Sequence, residues 1–166
     1  MTNFGFQLLR RRAVGGFALA EAVVAVAIAV IALGGFYAST QQAGRVLRMG
    51  KEVALASEIL QQRIEALRYA PKWSNVTTAA GIASIVATPT GAAANFGNVT
   101  ETYTVSGYPS GSVLTVARSP RGAFTNNGVD ISSISCVKVT VTATWTGIGN
   151  LQRSRQLSTI IFKGGL

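Results

Sequence analysis

The chain has 166 residues and a formal charge of +9, from 15 Lys plus Arg against 6 Asp plus Glu, and only 13% of its residues are charged. A typical soluble domain carries about 25%, so disorder driven by charge is excluded. With one Cys and no His, so are a disulfide framework, most zinc and haem ligation and the Ser-His-Asp and Cys-His triads. The charge is uneven: residues 1–16 hold Arg10, Arg11, Arg12 and no acid, leaving twelve basic and six acidic side chains, a balance of +6, for the rest.

From Phe17 to Ala38 the sequence reads FALAEAVVAVAIAVIALGGFYA, with Glu21 as its single charge. As a helix this stretch is about 33 Å long, enough to cross a hydrocarbon core of about 30 Å. A buried core helix is the first alternative, but a helix apolar all round needs a large core to surround it. A secretory signal peptide with Arg10–Arg12 as its basic region is the second. Its apolar stretch would be roughly 7–15 residues and end in a small-x-small site, whereas this run is longer and Phe36 interrupts the site before Ala38. Arg10–Arg12 precede the span unopposed, while Glu52 offsets part of Arg45, Arg48 and Lys51 behind it. That asymmetry favours a cytoplasmic N-terminus. Glu21 is the anomaly. A carboxylate at a bilayer centre costs roughly 2.5–3.5 kcal/mol on insertion scales, and no Lys or Arg lies within two helical turns on its C-terminal side.

The order Arg10-Arg11-Arg12, Gly16-Phe17-Ala18-Leu19-Ala20-Glu21 and an unbroken apolar run resembles the leader and processing site of type IV prepilins and type II secretion pseudopilins. The resemblance covers about residues 8–40. It implies that a membrane prepilin peptidase cuts after Gly16, that the new N-terminal Phe17 is methylated, and that Glu21 is the carboxylate needed for assembly. A new ammonium at Phe17 would stand i to i+4 from Glu21, on one helical face, and the ammonium of a neighbouring subunit could pair with Glu21 equally well. Ala18 and Ala20 depart from the family's usual Ser or Thr and larger aliphatic. The proline common in the helix of major pilins is missing too; Gly34-Gly35 interrupts the run instead. Each Gly costs about 1 kcal/mol relative to Ala in a helix, so Gly34 and Gly35 mark either a point of bending or a close helix contact.

Beyond the span, Val46, Val53, Leu60 and Leu67 recur every seven residues with Met49 and Ile64 between, and Glu52, Glu58, Arg63 and Arg68 fall mostly off that stripe. The helix is expected to run to about Ala70, where Pro71 stops it. Its second half should pack on the C-terminal part, a dimeric coiled coil being the alternative. Residues 71–98, rich in Thr, Ala and Gly with Lys72 as the only charge, read as a long loop with a short strand at Ile82–Ala87. Strands are expected at Val99–Ser106 and Ser112–Arg118, on either side of a 107–111 turn. Asn126-Asn127-Gly128 is a further turn. In Ser135–Trp145, Val137, Val139, Val141, Ala143 and Trp145 alternate with Cys136, Lys138 and threonines, the period of a half-buried antiparallel strand. A 147–150 turn and Arg155–Phe162 complete a hairpin.

That Thr-rich hairpin, over about residues 134–162, is similar to the C-terminal end of PilV-type minor pilins. Cys136, alone, cannot close the loop disulfide of many major pilins, which favours a minor subunit, and with no His it has no base for catalysis. Asn75-Val-Thr77 and Asn98-Val-Thr100 match the glycosylation sequon, which a bacterial leader makes a coincidence. Asp130 beside Asn126 and Asn127 supplies too few carboxylates for calcium. Arg118, Arg121, Lys138, Arg153 and Arg155 form a candidate basic patch, with no nucleic-acid motif beside them.

The expectation is an α+β protein, a long N-terminal helix packed on a small antiparallel sheet, organised as a leader (1–16), a membrane and assembly segment (17–38), an amphipathic helical half (39–70) and a loop-plus-sheet domain (71–166). Its expected role is that of a minor pilin without catalytic, cofactor or metal site. Expected partners are the prepilin peptidase, other pilin or pseudopilin subunits and the inner membrane, with the C-terminal domain periplasmic and nucleic acid not among the partners. A minor pseudopilin of a type II secretion system and a membrane-anchored β binding module that never polymerises are the alternatives.

Overall fold

In the computed structural model the described residues are 14–88, 96 and 98–164, with side chains from residue 18 onward. The leader arginines Arg10–Arg12 lie outside them. The fold is α+β. One helix, α1 (Val14–Arg68), is followed by two short helices, α2 (Ser74–Thr77) and α3 (Ala79–Val86). The strands are β1 (Val99–Gly107), β2 (Val113–Arg118), β3 (Phe124–Asn126), β4 (Cys136–Thr146) and β5 (Gln152–Phe162). The chain divides into two compact units, Met1–Val46 and Leu47–Leu166.

In the second unit every strand pairing is antiparallel, in the order β3-β2-β1-β4-β5. β1, β2 and β3 form a meander, and β4 returns to the free side of β1. Alternation decides which face is buried. In β4, Val137, Val139, Val141, Ala143 and Trp145 are all buried, with the threonines outside and Cys136 half-buried on their side. From α1, Ala56, Ile59, Leu60, Ile64 and Leu67 enter the same core. These recur at helical three- and four-residue spacing, and each larger side chain withdrawn from water stabilises the packing by about 1.5–3 kcal/mol. Val46, expected on that stripe, is 60% exposed. The helix ends at Arg68, two residues before the expected end.

The segment expected as a loop with a strand at Ile82–Ala87 is instead helical over Ser74–Thr77 and Ala79–Val86. Thr78 is the N-cap of α3, its Oγ1 accepting the Gly81 N–H (3.1 Å), which satisfies one of the orphan donors of the first turn. Ile82 and Val86, four residues apart, are the buried face. Their β-branched chemistry pointed to a strand, but cap and spacing prevail. Gly81 lets α2 and α3 meet, since a Cβ there would lie 2.5 Å from the Asn75 Cα. Trp73 fastens this segment to the loop before β4 by donating from Nε1 to the Ile134 carbonyl (3.0 Å).

The Asn126–Gly128 turn is present, and the side chain of Asn127 continues the β2 ladder. Its Oδ1 accepts the Thr115 N–H (3.0 Å) and its Nδ2 donates to the Val113 carbonyl (2.8 Å). Gly149 and Asn150 take positive φ (80° and 58°) in the β4–β5 turn, a conformation that glycine and asparagine adopt most readily.

Candidate functional site: an apolar helix with one carboxylate

Among the described residues nothing covers the apolar segment of α1. Its most hydrophobic 18-residue window has a mean hydropathy of 2.4, and none of it is buried. Leu19, Ile31, Leu33 and Phe36 are each about 70% exposed or more. A soluble protein rarely leaves so much contiguous apolar surface in water. The helix is long and apolar enough to cross a membrane.

Glu21 projects from this surface and is exposed. No basic side chain among the described residues lies within ion-pair distance of it. Gly16 and Phe17 are in helical backbone near the start of α1, and their side chains lie outside the described ones. Helix α1 runs through Gly34 and Gly35 without interruption, and a Cβ at either would meet nothing within 4 Å. The pair, about 100° apart around the helix, therefore leaves two adjoining points without a side chain, with open space at each.

In the second unit the structure assembles a group that the sequence pattern alone had left apart. Glu101 is buried at the centre of the sheet's inner face. Arg63 of α1 donates to its carboxylate from Nε (2.7 Å) and Nη2 (3.3 Å). Arg118, its cross-strand partner on β2, donates from Nη1 (3.1 Å), and the Tyr103 hydroxyl donates to the same carboxylate. Arg63 and Arg118 are 3% and 5% exposed. Arg63 is thus no solvent-facing residue, and Arg118 does not belong to the candidate basic patch. One carboxylate answers two guanidinium groups, and Arg118 Nε has no partner among the described residues. Burial, reinforced by the Glu101 charge, pushes the Tyr103 phenol far above its ordinary value.

Both departures were written in the spacing. Arg118 alternates in step with Leu114 and Val116, as Glu101 does with Val99, Tyr103 and Val105, and Arg63 lies four residues from both Ile59 and Leu67. A second tie holds α1 to the hairpin: Trp145 Nε1 donates to Glu52 Oε2 (3.2 Å), with Arg153 Nη1 at 4.0 Å from the same oxygen. Gly147 admits this tie, since a Cβ there would lie 2.8 Å from Glu52 Oε2. These polar groups fasten the helix to the sheet. No cluster of three or more His, Cys, Asp or Glu suited to a metal is found among the described residues. Exposed Asp130 accepts the Ser132 N–H (2.8 Å), which holds its carboxyl below the usual range.

No protein-family model, curated protein or solved structure matches the chain. What the geometry defines is a class: an α+β protein whose bare apolar helix continues into the helical half that packs on its own antiparallel sheet.

Proposed function

We propose that the chain is a minor-pilin-like structural subunit. It is held in a bacterial inner membrane by residues 17–38, with its N-terminus cytoplasmic and its sheet domain periplasmic. A prepilin peptidase cuts it after Gly16 and Phe17 is methylated. The helix then passes from lipid into a bundle of like helices, in a type IV pilus or the complex that initiates one. One observation carries this reading: an uncovered apolar helix, next to a Gly16-Phe17 junction, bears a single exposed carboxylate.

The work of such a subunit is assembly. In a bundle from which water is excluded, Glu21 needs a positive partner, and the ammonium of Phe17 in a neighbouring subunit supplies one. A buried pair of this kind selects register more than it adds stability. Each helix that enters out of register leaves one charge unpaired, at a cost of several kcal/mol. The open space at Gly34 and Gly35 leaves room for a neighbouring backbone to approach, as small residues do between membrane helices.

The test is the mature N-terminus. Mass spectrometry of membrane-extracted protein is expected to find a chain beginning at methylated Phe17, and a bulky residue in place of Gly16 should leave the leader attached. Glu21→Ala should be processed normally and yet be missing from sheared filaments. Wild-type protein that keeps residues 1–16, or is cut near residue 38, would point to a membrane-anchored module that does not polymerise. Correct processing with no surface fibre would point to a secretion pseudopilus.

A further inference from the structure

We propose that strand β5 is an open acceptor for an extended, acidic segment of another polypeptide, which adds to the sheet as a sixth strand. This inference is independent of the assembly role of α1.

The argument starts from which backbone groups are free. β5 is the outermost strand and has 11 residues, whereas the strand at the opposite edge, β3, has 3. The Lys163 N–H donates to the Ser135 carbonyl, and the Leu151 carbonyl accepts from Gly147. The odd-numbered residues of β5 therefore turn their backbone groups toward β4. The even-numbered ones, Gln152, Ser154, Gln156, Ser158, Ile160 and Phe162, turn theirs to the free edge, and no described residue pairs with them. A long open ladder of this kind is a template for another strand.

The side chains say which strand. On the helix side of the sheet, β4 is fully covered at Val141, yet its β5 neighbour Leu157 is 38% exposed and Arg155 is exposed. Ile161, near the end of β5, is still part of the core, so it is around residues 155–157 that the core stops one strand short. Leu157 and Arg155 both sit where an added antiparallel strand would form non-hydrogen-bonded pairs, the positions at which facing side chains come closest. From Ile131 to the last residue the sequence has no acid and four basic residues, Lys138, Arg153, Arg155 and Lys163. Of these, Arg153 is near Glu52, and the other three have no acidic partner among the described residues.

Edge charges ordinarily protect a sheet from pairing with itself. A second copy of β5 would bring its own arginines and no acid, so self-pairing is opposed. The same charges favour a segment that places Asp or Glu opposite Arg155 and, two residues away on the same face, an apolar side chain over Leu157.

The test uses the full chain in detergent micelles and two capped nine-residue peptides of alternating Val and Thr. One carries two Asp on a single face and the other carries Lys at the same positions. Fluorescence anisotropy is expected to show saturable binding of the acidic peptide only. Residue-resolved amide exchange should show new protection at Ser154, Gln156, Ser158 and Ile160, while the amides of Arg155, Leu157 and Thr159, already bonded to β4, change little. Reversing the charge with Arg155→Glu should weaken the acidic peptide about fivefold and let the basic one bind, on the scale of cross-strand charge pairs. Ser158→Pro removes a free-edge donor and no β4 bond, so it should abolish binding while the exchange pattern of the odd-numbered residues certifies the fold. The proposal is overturned if the acidic peptide does not saturate by about 1 mM, if protection appears elsewhere, if both peptides bind alike, or if β5 is protected by self-association instead.

Discussion

Replacing Glu101 by Gln tests the central polar group of the core. The substitution keeps the shape and one acceptor but removes the only negative charge between Arg63 and Arg118, both almost fully buried. Three charge-assisted hydrogen bonds, from Arg63 Nε and Nη2 and Arg118 Nη1, lose their anionic acceptor. Each such bond contributes about 1.5–3 kcal/mol, but the two guanidinium groups relax and admit water, so the sum is an upper bound. Breaking a buried ion pair by removing one partner costs about 3–5 kcal/mol, and that figure is the expected loss. For a unit of about 120 residues it lowers the melting temperature by about 10–20 °C. The assay is thermal unfolding of the detergent-solubilised chain followed by near-ultraviolet circular dichroism, with half-buried Trp73 and buried Trp145 as reporters of the sheet unit. Replacing all three charges together, Arg63→Met, Glu101→Leu and Arg118→Met, should recover part of the loss, because no charge is then stranded and only the buried Tyr103 hydroxyl loses its acceptor. A Glu101→Gln variant within about 1 kcal/mol of wild type would refute the reasoning, as would a triple variant less stable than the single one.

Glu52→Ala should cost only about 1 kcal/mol, measured by the same melt, because Glu52 is partly exposed and its bond to Trp145 is a single one. Gly81→Ala should cost about 1–3 kcal/mol, since its Cβ has no room between α2 and α3. The Tyr103 phenol has a raised native value, so its contribution to stability is complete below about pH 10 and is lost as pH rises beyond it, where the unfolded chain ionises first. Alkaline melts should therefore fall more steeply for wild type than for Tyr103→Phe, and ultraviolet titration of the variant should lack one late-ionising phenol.

Much of this architecture was legible in the chain. Continuous apolar character marks the N-terminal helix, since a surface apolar all round needs a bilayer, other helices or a large core to cover it. The period-two run from Val137 to Trp145 marks the C-terminal hairpin, because alternation assigns each residue a face before any partner is known. Helix α3 was misread because Ile82, Ile85 and Val86 satisfy strand composition as well as helical spacing, and only the Thr78 cap distinguishes the two. The short strand β3 was missed because three residues carry no period.

By itself, the sequence determined the apolar span, the single carboxylate at Glu21, its distance from Phe17 and the strands of the hairpin. These depend on local composition and on spacings within one element. Only the tertiary structure decided that Arg63, Glu101, Tyr103 and Arg118 meet on one carboxylate, and that β5 and not β3 offers the long free edge. Arg63 is 38 residues from Glu101, and Arg118 is 17. Charges that far apart become partners only when strand register and helix packing bring them together, and a charge count records none of that geometry.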